Sequence, residues 1–135
     1  MKPRLNVIAL VVSDMSRSLA FYRQLGLDIP ADADSQPHVE YELAGGVRLA
    51  WDDIATIRTF DPGWEPPGHG QVGLAFECAS PSDVDSAYQD LVDAGYKSHM
   101  APWDAFWGQR YAVINDPDGN SVDLYAPLPA ISTET

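Results

Sequence analysis

Asp123 stands in the most readable stretch of the chain, Asp116-Pro117-Asp118-Gly119-Asn120-Ser121-Val122-Asp123-Leu124-Tyr125, four residues after the glycine of a turn. A carboxylate on an alternating strand can serve as a metal ligand or as a general base. In the first half of the chain Gly46 leads into Val47-Arg48-Leu49-Ala50-Trp51, where the residue four after the glycine is Ala50. Two equivalent positions therefore differ in whether they offer a metal ligand. His38, Glu40 and Asp52 are a second set of donors. They could hold zinc or nickel if they cluster, or form a His–Asp hydrogen bond on a solvated strand face. No nucleophile is recognisable: there is no Gly-x-Ser-x-Gly elbow, and the single cysteine, Cys78, reads as a buried, inert thiol. His69, in Gly68-His69-Gly70, and His99 read as surface residues.

The other chemistry-bearing stretch is aromatic. Ala101-Pro102-Trp103-Asp104-Ala105-Phe106-Trp107-Gly108-Gln109-Arg110 places two tryptophans and a phenylalanine within five residues. The run fits neither a helical stripe nor strand alternation, so it is expected to be a loop between two strands. Such aromatics serve as flat walls for a planar ligand, as dimer contacts, or as a hydrophobic plug. Trp64 could supply a second wall.

The elements that must position these residues follow one plan written twice. Leu5 to Val12 reads as a central strand, and Ser13 or Asp14 can cap a helix that begins near Met15. Met15, Leu19, Tyr22 and Leu25 form its stripe and Gly26 ends it. A short strand near Leu27–Ile29, a polar loop through Gln36, and a hairpin of Val39–Leu43 with Val47–Trp51 around Ala44-Gly45-Gly46 are expected next. Residues 54–70, rich in proline and glycine, read as a linker. The second copy has a strand at Val72–Cys78 and a helix from Ser80-Pro81-Ser82-Asp83, with a stripe of Val84, Ala87, Tyr88 and Leu91, to Gly95. Strands at Tyr96–Met100, Gln109–Asn115 and Ser121–Tyr125 complete it, so each half is βαβββ and about 50 residues long.

A sheet with one helix buries one face against it and leaves the other for a ligand or a partner. Alternation then pairs Leu43 with Val47, Tyr41 with Leu49 and Val39 with Trp51 on the helix side. The open face carries Glu42 across from Arg48, Glu40 across from Ala50, and His38 across from Asp52. The same parity places Val7, Ala9, Val11, Gly73, Ala75, Glu77, Ser121, Asp123 and Tyr125 on the open faces. A bulge at the DPDG turn would decide whether Arg110 or Tyr111 joins them.

Bulk properties narrow the classes. The formal net charge of −12 repels nucleic acid and anionic membranes and steers cations inward. One cysteine excludes an intrachain disulfide framework and fits a reducing cytoplasm. The first apolar run, about eight residues, is too short to span a membrane.

Together these residues resemble the vicinal oxygen chelate superfamily, the glyoxalase, bleomycin-resistance and extradiol-dioxygenase fold. The resemblance rests on Val11-Val12-Ser13-Asp14-Met15-Ser16-Arg17-Ser18-Leu19-Ala20-Phe21-Tyr22 with Leu25-Gly26, on Gly46–Ala50, and on Asp116–Asn120, and covers roughly residues 5–127. It implies an α+β domain over 1–127, two tandem βαβββ modules forming a barrel-like cleft and commonly assembled as a homodimer, with a frayed tail at 128–135. Metal-dependent members place four ligands on the cavity strands, at positions that fall here on Val7, Ala50, Gly73 and Asp123. Three of the four have no donor, and one carboxylate does not hold a divalent ion against water. Neither a metal nor another cofactor is expected.

The resulting expectation is metal-independent binding of a small molecule, in the manner of members that sequester an aromatic or cationic antibiotic. The ligand would meet Trp103, Phe106, Trp107, Arg48, Glu40, Glu42, Asp52, Glu77, Arg110 and Asp123. The alternative is an enzyme of the lyase, isomerase or dioxygenase type, with a non-standard metal site or with Asp123 or Glu77 as general base. A third reading is an interaction module whose open face a partner chain covers.

Overall fold

The structure, a computed structural model, describes residues 4–66 and 72–129. It divides into two compact units, Met1–His69 and Gly70–Thr135. The first holds β1 (Val7–Val12), α1 (Met15–Gln24), a 3-10 turn (Ala31–Ser35), β2 (His38–Glu42), β3 (Arg48–Asp53) and α2 (Ile54–Arg58). The second holds β4 (Gly73–Glu77), α3 (Pro81–Asp93), β5 (Lys97–Ala105), β6 (Gln109–Asn115) and β7 (Ser121–Pro127). Strand order is β1-β3-β2 in one sheet and β4-β7-β6-β5 in the other, and neither sheet closes on itself into a barrel. This is the mixed α+β class expected. Among the described residues no helix is long and apolar enough to cross a membrane.

Local sequence explains the helices. Asp14 accepts the Arg17 N–H at 3.1 Å and caps α1; that bond, with the Ser16 hydroxyl, holds its carboxyl below the usual range. Ser80 caps α3 in the same way, with Pro81 in the first turn, where a missing N–H is harmless. Met15, Leu19, Phe21 and Tyr22 are buried along α1, and Tyr22 meets Trp51 edge-on with ring centroids 5.4 Å apart. Trp51, Tyr22, Phe21, Leu10 and Leu19 are fully buried in this layer, each contributing about 1.5–3 kcal/mol of hydrophobic stabilisation.

The first hairpin pairs as alternation demands. Val39 faces Trp51, Tyr41 faces Leu49, and the Leu43 N–H donates to the Val47 carbonyl at 2.8 Å. Gly45 and Gly46 turn it with φ of 89° each, a region closed to ordinary side chains.

Three expectations are corrected. Leu27–Ile29 is no strand, although Leu27 and Ile29 are buried. The Arg23 guanidinium takes the carbonyls of Ile29 and Pro30 at 2.8 and 2.7 Å, and Pro30 has no N–H to offer a ladder. The first sheet therefore has three strands. The stretch after residue 53 opens with a helix, α2, because Asp53 accepts the Thr56 N–H at 2.7 Å as an N-cap. Residues 101–105 belong to β5, which carries register shifts between Ser98 and Met100 and between Met100 and Trp103. Those irregularities break the two-residue period and disguise a strand as a loop. The pairing of β6 with β7 runs without a shift, which decides the register left open at the DPDG turn. Residues 67–71, with His69 among them, and the tail from 130 lie outside the described residues.

Candidate functional site

The open face of the second sheet is built in rows that cross all four strands. One row runs Glu77–Tyr125–Tyr111–Trp103, the next Ala75–Asp123–Val113–Met100, and the third Gly73–Ser121–Asn115–Lys97. Aromatic surface is thus concentrated in the first row, with carboxylates at Glu77 and Asp123. Lys97, the cation on this face among the described residues, sits in the third row at the opposite corner from Glu77.

The β5–β6 turn folds its aromatics onto that row. Trp107 meets Trp103, Phe106 and Tyr111 edge-on, with centroid distances of 5.5, 5.0 and 5.2 Å. Its indole N–H donates to Gln109 Oε1 at 2.8 Å. Gly108, with φ of 94°, makes the tight return possible. Phe106 stands 91% exposed at the tip, so it covers the face only from its edge. Trp103 is half-buried, and its indole nitrogen is buried without a hydrogen-bond partner.

Asp123 sits beside this aromatic row. It accepts the Ser121 hydroxyl at 3.2 Å. Tyr111 faces it diagonally across β6 and β7. Burial first, then its hydrogen bond to Asp123 and that group's charge, push the Tyr111 phenol up to about 12. Tyr111 is therefore a neutral donor at any ordinary pH, and Asp123 accepts from it and from Ser121.

Arg110 points the other way. It pairs with Asp104 on β5 and with Ala126 on β7, and its guanidinium binds Asp85 of α3 and Asp104, each at 3.0 Å. The hydrogen bond to Asp85 leads the causes that raise its pKa. Arg110 ties the sheet to its helix, so Tyr111 occupies the open-face position that the sequence left undecided. Alternation alone puts Tyr125 on the open face, and the β6–β7 register adds Tyr111 opposite it.

The first sheet presents a different face. Its rows are Val7–Arg48–Glu42, Ala9–Ala50–Glu40 and Val11–Asp52–His38. His38 Nδ1 lies 2.5 Å from Asp52 Oδ1, and its Nε2 lies 2.7 Å from Glu40 Oε2. Arg48 donates to Glu40 Oε1 at 2.7 Å, reaching diagonally past exposed Glu42. A carboxylate on each side favours the protonated ring, in which both nitrogens donate. The Asp52 bond, followed by that to Glu40, accordingly raises the His38 pKa, and the His38 bond lowers that of Glu40. Arg48, Glu40, Asp52 and His38 are brought together as a chain of alternating charge.

Among the described residues neither face groups three side chains that could hold a metal. Val7 and Ala50 are diagonal neighbours in the first sheet, as Gly73 and Asp123 are in the second, so the repeat places the four positions equivalently. Val7, Ala50 and Gly73 have no donor atoms. A Cβ added at Gly73 would meet nothing within 4 Å, so bulk is not what keeps a ligand from that position. The His38 trio fails for another reason. The carboxylates lie at opposite nitrogens of one ring, so the three side chains do not converge on one point. Among the described residues no three His, Cys, Asp or Glu side chains are grouped to hold a metal. Cys78 is half-buried, and burial pushes its thiol up, away from reactivity. Trp64 is fixed by its backbone in the first unit: its N–H donates to the Asp61 carbonyl, and its own carbonyl accepts from Arg58.

Comparison with known proteins gives consistent matches. The family model described as Glyoxalase/Bleomycin resistance protein/Dioxygenase superfamily matches residues 4–124. A Bacillus subtilis (strain 168) protein, "Uncharacterized protein YwkD", is 28% identical over 123 residues, covering 87% of this chain and 92% of that protein. A crystal structure of a glyoxalase/bleomycin resistance protein/dioxygenase from Nocardioides is 27% identical with a TM-score of 0.73, covering 100% of this chain and 90% of that one. A glyoxalase/bleomycin resistance protein/dioxygenase family enzyme from Burkholderia phytofirmans PsJN shares the fold, with a TM-score of 0.77 at 19% identity and coverage of 93% and 100%.

Proposed function

The chain belongs to the Glyoxalase/Bleomycin resistance protein/Dioxygenase superfamily, and on that premise we propose that it binds an aromatic cation on the open face of its second sheet without a metal ion. The observation that carries the reading is the row Glu77–Tyr125–Tyr111–Trp103, with Trp107 folded over it and Asp123 beside it. Aromatic faces attract a cation through their negative quadrupole, by about 0.5–2 kcal/mol each. The two carboxylates supply the counter-charge. Sequestration of an antibiotic-type molecule is the role such binding would serve, since it needs affinity and no reacting group. We propose also that the protein works as a homodimer, the assembly that the family resemblance implies; a monomer mass in light scattering would count against it.

Tryptophan fluorescence tests the binding. 1-Methylquinolinium, a planar cation, should quench Trp103 and Trp107 with saturation at one ligand per chain. Quinoline, the same shape without charge at pH 8, should bind about tenfold more weakly. Asp123→Asn and Glu77→Gln should each narrow that gap. Equal affinity for the two molecules, or no saturable quenching by either, would end the proposal.

A further inference from the structure

The two carboxylates beside the aromatic row are not equivalent. Asp123, on the inner strand β7, accepts from Tyr111 and from Ser121. Glu77 ends the first row on β4, at the edge of the sheet, and is exposed. Among the described residues it has neither a hydrogen bond nor an ion pair. Lys97 lies at the opposite corner of the face, and Arg110 is held on the other side by Asp85 and Asp104. Both Glu77 oxygens thus keep their full acceptor capacity for a group from outside the chain. An exposed acid is ordinary by itself. What distinguishes this one is its place in line with Tyr125, Tyr111 and Trp103.

That line sets a distance. Neighbouring strands lie about 4.8 Å apart, so the Glu77 backbone is about 5 Å from that of Tyr125 and about 10 Å from that of Tyr111. Trp107 meets Tyr111 and Trp103 and so covers the β5–β6 end of the row. A ring system seated against Trp107 and Tyr111 reaches Glu77 only through a group at the far end of its long axis. We infer that the ligand is a flat aromatic molecule whose positive group is a terminal substituent bearing N–H donors, of the amidinium or primary ammonium class, received by Glu77. This inference rests on the binding reading above and names the ligand class of the same site. A hydrogen bond from a charged N–H to a carboxylate is short, directional and roughly twice as strong as a neutral one. Asp123, with two donors from the protein, supplies negative field. Glu77 supplies field and a hydrogen bond, and so selects both the N–H and the position of the charge.

Three naphthalene cations of equal charge test this, followed by tryptophan quenching. 2-Naphthamidinium carries its charged group at the end of the ring system, and 1-naphthamidinium carries it on the side. N,N,N-Trimethyl-2-naphthylammonium has the charge at the end but no N–H. Wild-type protein should bind 2-naphthamidinium about tenfold more tightly than either of the others. Glu77→Ala, a change at an exposed position, should bind all three alike. Asp123→Asn should weaken all three and keep their order. The inference is overturned if either comparison compound binds the wild type as tightly as 2-naphthamidinium does. It is overturned also if the order survives Glu77→Ala or is lost in Asp123→Asn, or if none of the three binds where 1-methylquinolinium does. In each of these cases saturable binding of 1-methylquinolinium leaves the binding reading intact. If 1-methylquinolinium fails to bind as well, that reading fails and this inference falls with it.

Discussion

His38 shows how a residue that reads as a metal ligand can be turned into a cation. Its ring lies between Asp52 and Glu40, and the hydrogen bonds raise its pKa above the ordinary 6.5. A group with a raised folded pKa adds stability that is fully present below the unfolded value and is lost as pH rises through the folded one. Glu40, lowered from 4.5, acts in the opposite sense: its contribution is present above that value and is lost as pH falls through the folded one. Both contributions are thus fully present between about pH 4.5 and 6.5. His38 is 46% exposed, so solvent screening keeps the gain from its pairs small. Urea titrations across pH should show wild-type stability declining above pH 6.5, with His38→Gln removing that decline. An identical pH profile in His38→Gln would refute the role given to the ring.

Among the elements, the DPDGN turn is the device that fixes the last strand. Asp116, buried at 4% exposure, accepts the N–H groups of Asp118 and Asn120 at 2.9 and 2.8 Å and the Asn120 side-chain amide at 2.9 Å. Asn120 Oδ1 in turn accepts the Val72 N–H at 3.4 Å, at the start of β4. Asp116→Ala leaves buried donors unpaired and should cost about 2–4 kcal/mol. That appears as a lower urea midpoint at unchanged slope; a loss below 0.5 kcal/mol would contradict the assignment. The motif was legible because turn chemistry is local, and so were both helix caps and the Gly45-Gly46 hairpin. The open-face parity of Glu40, Asp52, Glu77 and Asp123 followed from alternation alone. What was not legible depended on partners distant in sequence. Arg23 takes the Ile29 carbonyl that a strand over Leu27–Ile29 would need, and the irregularities in β5 hide the strand that carries Trp103. The placement of Arg110 away from the face is set by Asp85, 25 residues earlier. The cap of α2 was within reach, since Asp53 stands three residues before Thr56.

At the scale of the whole molecule, the repeat is what makes the loss of ligating chemistry readable. Each unit offers the same pair of diagonal positions, and only Asp123 among the four has a donor. The first unit spends its polar open-face groups on an internally neutralised chain, Asp52–His38–Glu40–Arg48. The second leaves two carboxylates beside an aromatic row. A chain of net charge −12 favours the approach of a cation to that row. The central claim, binding without metal, is tested most directly by calorimetric titration of 1-methylquinolinium into protein stripped by a chelator, with a parallel sample to which zinc is restored. The account predicts one ligand per chain and the same affinity in both samples. Binding that appears only when zinc is restored would contradict it.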